Sequence, residues 1–147
     1  MPITIKIKRL QPEAKLPSYA HAGDAGMDLY STEDHTIKPG ARQKIGTGIS
    51  IEMPEGYVGL VWDKSSVAAT HGLKHLGGVM DAWYRGEYIV TLVNLSNEDY
   101  LIRKGDKIAQ LLIQKVERVE IEEMSEISET SRGTGAFGST GKKWFLC

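Results

Sequence analysis

The sequence predicts an all-β fold, a sandwich or a barrel, on three observations. Apolar and polar residues alternate with a period of two in several segments. Clusters of turn-forming residues separate those segments at short intervals. Only one short stretch, Ser65 to His71, has helical character.

Ile3, Ile5 and Ile7 alternate with Thr4, Lys6 and Lys8, which gives the first strand one apolar face. Ile45, Thr47, Ile49 and Ile51 share a face in the same way. Tyr57 to Trp62, Tyr88 to Asn94 and Ile108 to Val116 are further apolar or β-branched runs. Turn signals stand between them at Lys38-Pro39-Gly40, Pro54-Glu55-Gly56, Ser96 to Asp99 and Lys104-Gly105-Asp106. In the helical stretch Ser65 is placed to cap the N-terminus, Ala68 and Ala69 favour helix, and Gly72 closes it. From Ser125 the composition turns to Ser, Thr, Gly and Glu, with few aliphatics before Trp144-Phe145-Leu146. Such a segment buries too little surface to order itself, so residues 125–147 read as a mobile arm on a domain of residues 1–124.

The length of 147 residues suits one domain with its own core. A formal net charge of −1 argues against a general nucleic-acid binder, whose affinity comes from a basic surface. The single cysteine, Cys147, excludes a disulfide framework or a cysteine metal site within one chain. No run approaches membrane-spanning length, and the N-terminus lacks the apolar core of a signal peptide. A cytoplasmic location, with no membrane or nucleic-acid partner, is the expectation.

Residues 78 to 87 carry the most chemical information. Asp81 and Tyr84 sit three apart in a segment bounded by Gly78 and Gly86, ahead of a strand-like run. A lone carboxylate in a turn is usually a turn former. This one has apolar neighbours and an aromatic held beside it, which suits a carboxylate that works on a ligand while the ring shapes the pocket. In the arm, Gly133, Gly135 and Gly138 match G-x-G-x-x-G but follow no strand and open no helix, so the dinucleotide-fold reading fails. The phosphate-loop pattern fails at Ala136 and Lys143. What remains is a glycine loop with a guanidinium fork for phosphate at Arg132 and a stacking face at Phe137.

Three further segments have both a chemical and a bland reading. Ala22 to Leu29 is a small-residue turn with Asp24 and Asp28. These could simply cap turns, or one could hold hydrated magnesium beside a bound triphosphate. Asp63-Lys64-Ser65-Ser66 opens the short helix, where N–H groups and hydroxyls can take an anion. Gln110 is a polar amide inside the run Ile108 to Ile113, and needs a partner if it faces inward. The four histidines show no zinc-ligand spacing with acids or cysteines.

Taken in order, these segments resemble the five motifs of the homotrimeric dUTP diphosphatases (dUTPases): Ala22 to Leu29, Asp63 to Ala68, Gly78 to Glu87, Arg103 to Leu111 and Arg132 to Gly141. The resemblance implies a distorted jelly-roll-like β-barrel, a homotrimer with active sites at subunit interfaces, and hydrolysis of dUTP to dUMP and pyrophosphate with Mg2+. It makes Asp81 the general base, with Gln110 beside the phosphates or the attacking water. It gives Asp28 a water-mediated magnesium and Tyr84 the deoxyribose. Lys64, Ser65, Ser66 and Arg132 take phosphate. His75, Gly78, Met80, Phe137, Gly138 and Ser139 complete the base pocket and its closure. Lys64 stands where the family more often has arginine, His75 where it often has asparagine, Trp83 where it has a small or acidic residue, and Ala136 where it has glycine. The related dCTP deaminases need a further glutamate on the strand after the third motif, and Tyr88 to Asn94 contains no acid. A scaffold that binds without catalysis is opposed by the presence of Asp28, Asp81, Gln110 and Arg132 together.

Overall fold

The computed structural model describes residues 2–142; Trp144, Phe145, Leu146 and Cys147 lie outside the described residues. Eleven strands and one helical turn follow in order: β1 Lys6–Arg9, β2 Met27–Tyr30, β3 His35–Ile37, β4 Arg42–Gly46, β5 Ile49–Glu52, β6 Tyr57–Trp62, the turn Ser66–Thr70, β7 Leu73–Leu76, β8 Val79–Asp81, β9 Ile89–Asn94, β10 Tyr100–Ile102 and β11 Lys107–Lys115. They form four antiparallel sheets: β1-β5, β3-β10, β2-β11-β6-β8 and β4-β9-β7. The sheets wrap one core that includes Leu29, Ile45, Ile49, Ile51, Tyr88, Val90 and Leu111. The all-β, jelly-roll-like expectation holds, and the strand pairings do not close into a continuous barrel among the described residues.

The alternation over Ile45 to Ile51 predicts one segment, but the structure breaks it in two. Thr47-Gly48 forms a corner at which the chain leaves the sheet of β9 (β4) and enters that of β1 (β5). Gly48 takes φ +69° there. Period two survives the corner because Ile45, Thr47, Ile49 and Ile51 all remain buried. The helical stretch spans Ser65 to His71 as expected, with π-helical geometry over Ser66–Thr70. Ser65 is itself helical (φ −54°, ψ −41°) and its side chain caps nothing, so the capping expectation fails. Gly72 does close the turn, with its N–H on the Ala68 carbonyl at 2.9 Å.

β11 holds the four-stranded sheet together, lying between β2 and β6. A bulge shifts its register on β2 between Lys107 and Ala109. The extra residue resets the in–out alternation. Lys107 and Gln110, three apart, therefore point to the same face, opposite Tyr30 and Asp28 respectively. Ala109 and Leu111 turn into the core. After Lys115 the described chain forms no strand and is largely exposed. No helix among the described residues is long and apolar enough to cross a membrane.

Candidate functional site

Cross-strand register places most of the candidate residues on the outer face of the four-stranded sheet. Gln110 lies opposite Asp28 on one side and Trp62 on the other, while Asp81 lies opposite Val58 at the far end of β6. Partners across a ladder share a face, so Asp28, Lys107, Gln110, Trp62, Val79 and Asp81 all project to the same side.

At one end of that face Asp28 is only 3% exposed. Lys64 Nζ donates to Oδ1 at 2.7 Å, and Lys107 Nζ makes a close ion pair with Oδ2 at 2.6 Å. Burial pushes the carboxyl's pKa up, but Lys107 and Lys64 outweigh it and hold the group below the usual carboxylate range. The result is one buried anion beneath two partly exposed ammonium groups, an outward-facing cationic patch. Ser65 and Ser66 stand exposed at the start of the adjacent turn. Gln110 is half-buried, and its Nε2 donates to the main-chain carbonyl of Asp63 at 2.8 Å. That bond takes one of the two amide N–H groups and fixes the orientation of the carboxamide.

Asp63 ties this end to the next element. Its Oδ1 accepts from the His75 main-chain N–H at 2.6 Å, and its Oδ2 pairs with Lys74. His75 is buried, which rules out the alternative of an idle exposed histidine. Burial lowers its pKa, Asp63 raises it in part and Lys74 lowers it further; the balance favours the neutral ring. The ring packs against Gly78. A Cβ there would stand 2.6 Å from the Val61 carbonyl and 2.9 Å from His75 Cε1, and φ is +110°, so only glycine fits. β7 pairs with β9 and β8 with β6, so Gly77-Gly78 carries the chain between sheets.

At the other end, Asp81 is exposed at the last position of β8. Tyr84 N–H donates to the Asp81 carbonyl at 3.0 Å, so a tight turn joins carboxylate and ring. Tyr84 Oη donates to the Glu87 carbonyl at 2.9 Å. Arg85 and Glu87 do not pair with each other. Arg85 bonds the carbonyls of Ala82 and Tyr84, and Glu87 accepts from Gly48 N–H at 2.8 Å in the β4–β5 corner. Asp81, Val58, Leu60, Val79, Trp83 and Arg118 line a groove of about 720 Å³. Trp83 stands at its rim, 73% exposed. Met80 faces inward, opposite Gly59.

The two ends do not meet within one chain. Asp81 is four residues along β6 and two strand spacings away from Gln110. Strand geometry makes that roughly 16 Å, several times hydrogen-bond reach. The arm stands apart as well. Arg132 Nε donates to its own Gly135 carbonyl at 2.9 Å, and Phe137 and Ser139 are exposed. Gly138 takes φ +103°. Ala136 does not take a positive φ, so its methyl group meets no left-handed backbone. Phe137 is the non-glycine residue at positive φ (46°), an unfavourable state for an aromatic.

Asp63 and Lys107 gave no signal of their own in the sequence, since each lay inside a motif read for other residues. Gly26 is a third such case. A Cβ there would fall 2.3 Å from Gln110 Oε1, so glycine admits the carboxamide. Gly26→Ala is expected to displace Gln110 from Asp63 and lower stability by about 1–3 kcal/mol, measured by denaturant unfolding.

The family model described as dUTPase matches residues 12–141. The deoxyuridine 5'-triphosphate nucleotidohydrolase of Corynebacterium glutamicum is 52% identical over 141 residues, 94% of this chain and 95% of the relative. That of Rhodococcus erythropolis is 49% identical over 142 residues, 95% of this chain and 87% of the relative. The solved structure of the Staphylococcus bacteriophage 80alpha dUTPase with dUPNHPP superposes with a TM-score of 0.85 at 29% identity, covering 95% of this chain and 99% of that one. A mutant dUTPase from phage phi11 of S. aureus, described for its coordination of a structural Mg(II) ion, gives a TM-score of 0.78 at 28% identity, covering 84% of this chain and 97% of that one.

Proposed function

The chain belongs to the dUTPase family, and on that premise we propose that it hydrolyses dUTP to dUMP and pyrophosphate, with Asp81 activating the water that attacks the α-phosphorus. The observation that carries the reading is the turn joining Asp81 to Tyr84, which sets a solvent-facing carboxylate beside a ring fixed through its own hydroxyl. In this reading Tyr84 packs on the deoxyribose and excludes a 2′-hydroxyl. His75, Gly78 and Met80 form the base pocket, with the main chain of Gly77 to Met80 supplying most of the hydrogen bonding. A neutral imidazole offers one donor and one acceptor on separate atoms, and so replaces only part of an amide.

Lys64, Ser65, Ser66 and Gln110 hold the triphosphate in place, and charge stabilisation together with in-line positioning supplies most of the rate enhancement. The roughly 16 Å between Asp81 and Gln110 supports a homotrimer in which Asp81 of one copy meets the cationic patch of another. The exposed Trp62, Val79 and Trp83 around the same face support burial in that assembly. The arm, residues 125–147, then closes from a further copy, with Arg132 on phosphate, Phe137 on the uracil, and Gly138 and Ser139 completing the closure.

Among the described residues no three His, Cys, Asp or Glu side chains gather as a metal cage. Asp28 is a single carboxylate already balanced by two lysines. With both oxygens already engaged it could reach a cation only through water, which suits an ion that keeps most of its water and takes its direct ligands from phosphate, as magnesium does. Asp28 would hold Mg2+ through water, and the bound ion would neutralise charge developing on the phosphate oxygens. The enzyme would work in the cytoplasm, keeping dUTP from DNA polymerases and supplying dUMP for dTTP synthesis.

Pyrophosphate release from dUTP, dCTP, dTTP and UTP, each with magnesium and with a chelator, tests the proposal. The dUTP reaction is expected to be much the fastest and to require magnesium. Comparable turnover of UTP would remove the role given to Tyr84.

A further inference from the structure

Building on the reading that Tyr84 screens the sugar, we propose that Tyr88 is a positioning residue: its buried ring fixes where Tyr84 lies relative to β8, and so sets the discrimination between deoxyribose and ribose. Tyr88 is fully buried, and its ring centroid lies 6.2 Å from that of Tyr84 at an interplanar angle of 33°. That separation falls inside the range in which aromatic rings attract beyond simple burial. Tyr84 is partly exposed, and its hydroxyl holds only one end, on the Glu87 carbonyl. The Tyr88 ring supports the other.

Tyr88 is itself immobilised. Its N–H donates to the Ile49 carbonyl at 2.9 Å, and its carbonyl accepts from Thr47 Oγ1 at 2.6 Å. The residues before it are pinned to the same corner, Arg85 through Ser50 Oγ at 2.7 Å and Glu87 through Gly48 N–H.

The far end of the ring reaches the strands that carry the carboxylate. A Cβ built on Gly59 would stand 3.2 Å from the Tyr88 hydroxyl, and Gly59 lies opposite Met80, next to Asp81. One phenol thus spans the space between the sugar-screening ring and the β6–β8 pair. Its hydroxyl has no hydrogen-bond partner, so the ring contributes through shape rather than through a bond. Burial pushes the phenol up to about 12, and it stays neutral.

The test compares kcat/KM for dUTP and UTP in the full-length protein. An inactive wild type would overturn the dUTPase reading, and this proposal with it. With an active wild type, Tyr88→Leu is expected to lower the dUTP-to-UTP ratio roughly tenfold, and Tyr88→Phe to keep it. In a Tyr84→Ala background Tyr88→Leu is expected to change the ratio no further, because the two act as one unit. A folded Tyr88→Leu enzyme with the wild-type ratio overturns the proposal, as does an undiminished effect without Tyr84. Tyr88→Met, a flexible side chain that fills irregular gaps without a ring face, takes the place of Tyr88→Leu if the latter does not fold. Failure of both to fold makes Tyr88 a core residue alone and overturns its role in selectivity.

Discussion

Replacing Asp81 with asparagine is expected to lower kcat by about 10²–10⁴-fold, the usual contribution of a positioned general base. Affinity for a non-hydrolysable dUTP analogue is expected to stay within a few-fold of wild type. The carboxylate is exposed at a strand end, and among the described residues it makes no ion pair and no side-chain hydrogen bond. Asparagine keeps its shape and removes only the base. Single-turnover rates read the first effect, and titration calorimetry with the analogue reads the second. A joint loss of binding and turnover would make Asp81 a structural residue.

Removing residues from Ser131 onward is the second large effect. The truncation takes away Arg132, Phe137, Gly138 and Ser139. The charge-assisted contact to phosphate and the stack on the base together correspond to a loss of roughly 10²-fold or more in kcat/KM. Stability should change little, because the described residues removed are exposed apart from a half-buried Gly135, and the last strand among the described residues ends at Lys115. Steady-state kinetics alongside thermal unfolding separates the two. Unimpaired turnover by the truncated chain would show that the arm closes over nothing.

The long strands were legible in the sequence because period two is a local signal. β6, β9 and β11 fall within a residue of the runs that predicted them. The three-residue strands β3, β8 and β10 were not, since so short a segment carries too few side chains to show a period. Their pairing is set by distant partners. The corner at Thr47-Gly48 escaped for a different reason: both sides of it bury the same apolar face, so alternation continues through a change of sheet. At the site, residue types were readable and their connections were not. Asp81 and Tyr84 stood out as neighbours in sequence. The link from Gln110 through Asp63 to His75 joins β11, the end of β6 and β7, and the second lysine on Asp28 depends on a bulge. Neither has a local signature.

The central position of β11 also governs how the protein assembles during synthesis. β2 leaves the ribosome early, yet its ladder partner is the last strand among the described residues, and β6 gains its second neighbour from that same strand. Until residues 107 to 115 emerge, the edges of β2 and β6 that later receive β11 have no strand beside them. Ordering such distant partners costs loop-closure entropy before any contact rewards it, which places folding among slow, high-contact-order β proteins, on the millisecond-to-second scale. Asp28 therefore cannot meet Lys107 before residue 107 has been made, and the cationic patch cannot form on a shorter chain.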